Sequence, residues 1–401
     1  MESLAHAYPA KRTHRSSAAA NKQNRKKLSA LICLVCIIAF FSLFAVPMGM
    51  SNMFSTLMNT AFAILTDTCF YIMAIAVLMS ALSALLTEFG VVDLLNGLLS
   101  PLMKPLYDLP GAAALGVVTT YLSDNPAILS LADDQGFRRF FRKYQLPALT
   151  NIGTSFGMGL IVSTYMLSLE NNAGTSLLPA VLIGNLAAVI GSVVSSRIML
   201  HYTKKAYGTL APACTDYEET VTDKEDEKEK GNLSMRIMNA LLNGGKNGVQ
   251  MGLCIIPGVV IICTVVLMLT NNTVSFTGAA YEGIGLLPKL AGKIEFLLKP
   301  LFGFSSASSI AVPITALGSA GAAMGLVPSL LSSGTANAHD VAVFTAMCMC
   351  WSGYLSTHVS MMDGLGCKEM TGKAILSHTI GGLCAGLAAN WIYTVFTLLV
   401  H

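Results

Sequence analysis

The chain is short of charge. Only 12% of its 401 residues are Asp, Glu, Lys or Arg, whereas 53% are apolar. Soluble domains carry about 25% charged residues, and a chain this long needs them to cover itself with a polar surface. The few charges are also bunched. Residues 28–66, 68–87, 144–169, 171–196 and 374–401 hold none. These absences exclude a soluble enzyme, a nucleic-acid-binding protein and a secreted disulfide scaffold. Catalytic signatures are missing as well. There is no G-x-S-x-G, no H-E-x-x-H, no G-x-x-x-x-G-K-[ST] loop and no G-x-G-x-x-G opening a strand–helix unit. No catalytic residue, resident metal or other cofactor is therefore assigned. Without a phosphate-binding loop, an ATP-driven pump in one chain is disfavoured.

What is present is a set of long apolar runs. Uncharged stretches of about 20 residues read as transmembrane helices. The expected fold class is an all-α polytopic membrane protein with about seven spans, at 28–47, 61–87, 146–168, 176–199, 249–270, 341–360 and 374–400. Two further apolar stretches are broken. Residues 109–133 turn at Ser123-Asp124-Asn125-Pro126, and residues 304–332 turn at Gly318-Ser319-Ala320-Gly321. Each half is too short to cross a hydrocarbon core of about 30 Å. Both read as re-entrant hairpins, which survive at membrane depth only where protein or a cavity surrounds them. The ten cysteines lie mostly inside apolar runs. Cys33-x-x-Cys36 has no second pair and no His partner, so small apolar packing residues are the expected reading.

The basic residues orient the chain. With the N-terminus inside, 22 Lys and Arg fall on the inner side and three, Lys289, Lys293 and Lys299, on the outer side. The expected location is the cytoplasmic (cell inner) membrane, N-terminus inside and C-terminus outside. The organisation read from these features has five parts. Residues 1–27 form a basic cytoplasmic tail, flanking a retained signal anchor rather than a cleaved peptide. Residues 28–60 hold the anchor span and a loop. Residues 61–200 and 249–401 form two repeats. Residues 201–248 are a charged cytoplasmic linker, whose acidic run from Asp216 to Glu229 reads as a solvated connector or a regulatory docking segment.

The repeats rest on a constant offset. Leu102–Val117 and Leu297–Val312 share six of 16 residues, and Lys299 follows Lys104 by 195 residues. The same offset pairs Phe156 with Trp351 and Leu160 with Leu355. Each half runs span, interfacial helix, hairpin, span, span. The first half starts outside and the second inside, so the repeats are inverted, the architecture of secondary transporters with a site near the midplane.

Lys104-Pro105 leading into Leu109-Pro110-Gly111-Ala112-Ala113, its partner in the other half, and the segment Asn243–Leu253 carry a family resemblance. The chain resembles the Gate, or "nucleoside recognition", proteins over roughly 60–200 and 240–400. These include concentrative nucleoside transporters, the membrane part of ferrous iron transport protein B, and spore maturation membrane proteins. The resemblance implies two re-entrant hairpins and two unwound spans around a central polar site. In the nucleoside transporters the first hairpin tip and the next span bind solute and sodium. The matching positions here are Asp124 and Asn125, then Asn151, Thr154 and Ser155. The tip reads Ser-Asp-Asn-Pro, without those transporters' usual Gln/Asn-x-Glu pattern. The missing phosphate loop departs from the GTPase arrangement of the iron transporter.

Each candidate carries two readings. Asp124, a carboxylate at bilayer depth, costs about 2.5–3.5 kcal/mol on insertion scales. It binds a solute or cation, or caps a helix starting at Pro126, or does both. Thr154 and Ser155, beside Gly153 and Gly157, serve a site or bond carbonyls one turn back. Trp351, Ser352, Thr357 and His358 lie in the equivalent span. Trp351 stacks on a planar solute or fills the core. His358 relays a proton or is a neutral buried imidazole. Ser319 lies in the small second tip. Asp67 interrupts an apolar run, as a coupling-ion ligand or a shallow interfacial group. The expected substrate-binding set is Asp124, Asn125, Asn151, Thr154, Ser155, Ser319, Trp351, Ser352, Thr357 and His358. The expected ion-coupling set is Asp124, Asn125, Ser155 and Asp67. The expected function is a secondary active transporter of a small polar solute, a nucleoside or nucleobase by resemblance, coupled to Na⁺ or H⁺. The alternative is a non-transporting membrane-assembly partner of the sporulation type. The partners expected are the solute and the lipid bilayer; a homo-oligomer is left open.

Overall fold

The computed structural model describes residues 13–125, 127–133, 135–170, 174, 176–213 and 232–400. Among these the chain is helical, with two isolated β-bridges and no strand. The first half runs α1 (Thr13–Met48), α2 (Met50–Ala63), α3 (Phe70–Glu88), α4 (Val91–Leu102), α5 (Ala113–Leu122), α6 (Ala127–Asp133), α7 (Gln135–Arg138), α8 (Leu146–Phe156), α9 (Gly159–Ser168) and α10 (Leu178–Tyr207). The second runs α11 (Leu233–Gly258), α12 (Thr264–Thr270), α13 (Leu286–Gly292), α14 (Glu295–Phe302), α15 (Ala311–Ala316), α16 (Ala320–Ser332), α17 (Ala338–Cys350), α18 (Tyr354–Gly364) and α19 (Thr371–Val400). Six helical stretches are long and apolar enough to cross a membrane, or seven counting the pair α14 and α15, which bend by 75°.

Several boundaries differ from the sequence expectation. The loop expected before residue 60 is helix α2. It runs through a π-helical turn, Ile64–Cys69, into α3, since neither Gly nor Pro interrupts 50–88. The expected linker is helical at both ends, to Tyr207 and from Leu233; its acidic run, 216–229, lies outside the described residues. The expected span 341–360 is split into α17 and α18 at Trp351–Gly353.

Local structure recurs at the 195-residue offset. Left-handed residues fall at Gly90 and Gly285, Asp108 and Gly303, and Met158 and Gly353. π-Helical turns fall at Ile64–Cys69 and Val259–Cys263. Arg142 N–H donates to Gln145 Oε1 at 2.9 Å, and Asn337 N–H to Asp340 Oδ2 at 3.0 Å. Asp108 N–H donates to Lys104 O at 3.0 Å, and Gly303 N–H to Lys299 O at 2.8 Å. Even where the capping residue changes, the capped carbonyls correspond. Arg197 Nε donates to Leu106 O and its Nη2 to Pro105 O, whereas Asn390 Nδ2 donates to Leu301 O and Pro300 O.

The core surrounds α8 and α9. In the most apolar stretch of residues 143–168, 94% of residues are buried, against 6% for residues 25–48. The latter helix turns its leucines and isoleucines outward, as lipid contact requires. Helices α3 and α11 meet through Gly244, Gly248 and Gly252. A Cβ on Gly248 would lie 2.4 Å from Val77 Cα. This is the close backbone approach that small residues four apart allow in membranes.

Candidate functional site

Two broken spans meet two hairpin tips at the centre of the bundle. Between α8 and α9, Gly157 is extended and Met158 left-handed; between α17 and α18, Gly353 is left-handed. Each break removes helical hydrogen bonds and exposes peptide groups in an apolar interior, which demands partners.

The first tip supplies one. Asn125 is 1% exposed, and its Nδ2 donates to Ser352 O at 2.7 Å. Its side chain fills the niche over Gly157, where a Cβ would sit 1.2 Å from Asn125 Oδ1. One amide therefore touches both breaks. Asp124 Oδ1 accepts the Asn125 backbone N–H at 2.7 Å, which fixes the tip. Pro126 lies outside the described residues. The second tip reaches the other break: a Cβ on Gly353 would lie 3.4 Å from Gly318 O, and Gly353 N–H donates to Ala316 O at 3.3 Å. Ser319 caps α16, accepting from Ala322 N–H at 3.2 Å, and faces Gly258 beside the second π-helical turn. Thr357 Oγ1 donates to Gly353 O at 3.2 Å.

A buried polar chain runs behind the first break. Asn151 Nδ2 donates to Ser195 Oγ at 2.7 Å and Ser377 Oγ at 3.0 Å. Ser195 Oγ lies 2.9 Å from His378 Nδ1, and His378 Nε2 bonds Cys350 O. A carbonyl only accepts, so His378 carries its proton on Nε2 and accepts from Ser195 at Nδ1. His358 Nδ1 lies 3.1 Å from Tyr354 O and 3.4 Å from Thr154 Oγ1. Thr154 already donates to Thr150 O, so His358 is protonated at Nδ1. The two imidazoles stand 4.7 Å apart. Ser155 donates back to Asn151 O at 2.8 Å. Trp351 is 5% exposed, packs over Gly382 and donates to His378 O at 3.4 Å, so it fills the core here.

Among the described residues, three acceptors in this cluster are buried without a partner: Asn125 Oδ1, Asn151 Oδ1 and His358 Nε2. Each costs about 1–3 kcal/mol when nothing donates to it. Among the described residues, no Lys or Arg bonds to this network. The arrangement can accept hydrogen bonds or share a cation; it offers an anion little.

Asp124, Asn125, Asn151, Thr154, Ser155, Trp351, Ser352 and His358 are therefore joined or adjacent. Ser319 and Thr357 gather at the second tip. Asp67 is exposed and accepts from Thr66 Oγ1 at 2.9 Å; no hydrogen bond or ion pair among the described residues links it to the cluster. Ser195, Ser377, Tyr354 and His378 were missed from sequence. The available signal was weak: a second His within an uncharged run, 20 residues after His358.

Two carboxylates outside the spans serve structure. Asp108 is pulled up by burial, but hydrogen bonds and charge from Lys204 (2.6 Å) and Lys104 (3.0 Å) outweigh this and lower its pKa. Burial also acts to raise Glu282, yet donors from Thr277, Gly278 and Thr56 hold it down at about 2. Glu282 thereby ties the loop after α12 to α2.

No protein-family model matches the chain, and no curated protein is similar to it. Solved structures are similar. CNTnw, a concentrative nucleoside transporter, in an inward-facing substrate-bound state aligns with a TM-score of 0.53 at 14% identity, over 92% of this chain and 85% of that one. A doubly substituted CNTnw in an outward-facing state aligns with a TM-score of 0.51 at 15% identity, over 92% and 85%. At such identity the likeness is one of fold.

Proposed function

We propose that this chain is a secondary transporter whose small polar solute binds where the hairpin tips meet the broken spans. One observation carries the reading: Asn125 bridges both breaks, amid buried acceptors that nothing among the described residues satisfies. Unsatisfied polar groups at membrane depth are costly, and a cargo that supplies donors or positive charge offsets that cost. In this reading Asp124, Asn125 and Asn151 contact solute or coupling cation, and Ser155 keeps its place beside them. Thr154 and His358 line the same space from opposite helices. Ser319 and Thr357 border it at the second tip. Asp67 is exposed and stands apart from this cluster, so any coupling role it has would be played outside the junction. The two repeats, inverted across the membrane, would allow the site to open alternately to each side.

A nucleoside or nucleobase is the solute class favoured by the earlier resemblance and by the substrate-bound relative. Na⁺ or H⁺ is the coupling ion. The likeness to structures in inward- and outward-facing states supports a moving site rather than a static assembly.

The test is a melting screen of detergent-purified protein with nucleosides, nucleobases, amino acids and small carboxylates, each in Na⁺ or K⁺ at two pH values. A ligand at 100 times its Kd adds about 2.7 kcal/mol of stability. The reading expects a selective shift that Asp124→Asn or Asn125→Ala abolishes. A panel without shifts, in parent and variants alike, would instead support a partner protein without cargo.

A further inference from the structure

One end of the bundle gathers cations that the transport reading leaves unused. Four of them ring the last turns of α10. Lys143 Nζ lies 5.2 Å from the centre of the Tyr207 ring, and Lys373 Nζ 4.8 Å from that of Tyr202. Arg142 Nη1 donates to Leu210 O at 3.0 Å. Lys205 stands on α10 itself, and all four are exposed. The neighbouring carboxylates are already engaged. Asp108 pairs with Lys104 and Lys204, Asp363 with Lys368, and Glu369 accepts from Tyr207 Oη. Among the described residues, none of the four cations has an ion pair.

The ledge is held in place. Lys143 N–H donates to Ala211 O at 2.9 Å, and Ala213 N–H to Phe141 O at 3.2 Å. Tyrosine faces position the ammonium groups of Lys143 and Lys373; Lys143 also feels the charge of exposed Glu369, with which it forms no ion pair. Two large apolar side chains stand out beside them, Phe140 at 54% exposure and Leu210 at 84%. A water-soluble acidic partner would answer the charge and leave both uncovered. A lipid answers both: its phosphate meets the cations, and its acyl boundary takes Phe140 and Leu210.

We propose that this ledge binds the headgroup of an anionic phospholipid, through Arg142, Lys143, Lys205 and Lys373. It lies at the ends of α10 and α19, where a leaflet surface would pass, and on the side that the positive-inside rule places in the cytoplasm. This proposal does not depend on the transport reading.

The experiment equilibrates the purified full chain with equal amounts of phosphatidylglycerol and phosphatidylcholine, and measures the retained lipids by mass spectrometry. Phosphatidylglycerol should be enriched. Lys143→Gln or Lys373→Gln should each lower that enrichment about fivefold, the factor expected per juxtamembrane cation. Lys289→Gln with Lys293→Gln, at the other end, should leave it unchanged. With the parent protein alone, about 1 M NaCl, where screening acts within about 3 Å, should abolish it. No enrichment, or enrichment that survives these substitutions and salt, overturns the proposal. So does a large rise in bound phosphatidylglycerol on neutralising the carboxylates of 216–229, which would make that acidic run the resident of the ledge.

Discussion

The two halves of this chain share a scaffold and differ in chemistry. At the 195-residue offset the backbone repeats its left-handed turns, its π-helical segments and the N–H bonds of Arg142 and Asn337 to the side chain three residues on. The side chains at the centre do not repeat. Asn125 corresponds to Ala320, Asn151 to Ala346, Thr154 to Met349 and Ser155 to Cys350, while Ser163 corresponds to His358. The first half places its polar groups on the hairpin tip and before the break. The second places Thr357 and His358 after the break, and Ser377 and His378 on the last helix. Backbone geometry is needed twice to build two breaks, whereas a single asymmetric cargo needs each contact once. For the proposed site, divergence within a preserved frame is what that requirement would leave.

The contrast is open to attack at the breaks first. Gly157→Ala should be the most damaging single change, because its methyl takes the place of Asn125 Oδ1. Overpacking of this kind costs about 1–3 kcal/mol, seen as a lowered Tm. Asn125→Ala in the same chain should recover much of the loss, since the two are directly coupled. Gly353→Ala in the other half meets only Gly318 O at 3.4 Å and bears a left-handed strain of about 1–2 kcal/mol, which no change at residue 125 should relieve.

Glu282 is a second point at which the halves differ. Its counterpart in the first half, Thr87, only bonds back to Ser83 O. Because the folded carboxyl is lowered to about 2, its contribution is fully present above the unfolded value of about 4.3 and is lost as pH falls through about 2. Melting curves of parent and Glu282→Gln should differ by about 1–2 kcal/mol at pH 6 and converge towards pH 2.

The smallest effect concerns the capped carbonyls. Asn390→Ala, in a buried setting, should cost about 1 kcal/mol. Arg197→Ala should cost less, because Arg197 is exposed and water replaces its bonds. Paired denaturation curves would rank the two.

Much of the frame was legible in the sequence because its causes are local. Charge-free runs marked the spans, Ser123–Pro126 and Gly318–Gly321 marked the turns, and the Lys-Pro motif gave the offset. The break at Trp351–Gly353 was less visible, since nothing in its hydropathy separates α17 from α18. The polar chain was least visible. Asn151 reaches Ser377 across 226 residues and Ser195 reaches His378 across 183, and no local pattern encodes which helices adjoin. A neutral imidazole also leaves no gap in a charge count, so His378 passed as part of an ordinary span.

In the proposed function, cargo crosses at the junction of tips and breaks. The most direct measurement is uptake of tritiated uridine and adenine into proteoliposomes, under an inward Na⁺ gradient and, separately, an inward H⁺ gradient. Gradient-driven accumulation of at least one of them is expected, lost in Asn125→Ala while that variant still melts cooperatively. Accumulation that is unchanged in Asn125→Ala, or absent under both gradients from protein that is folded, would contradict it.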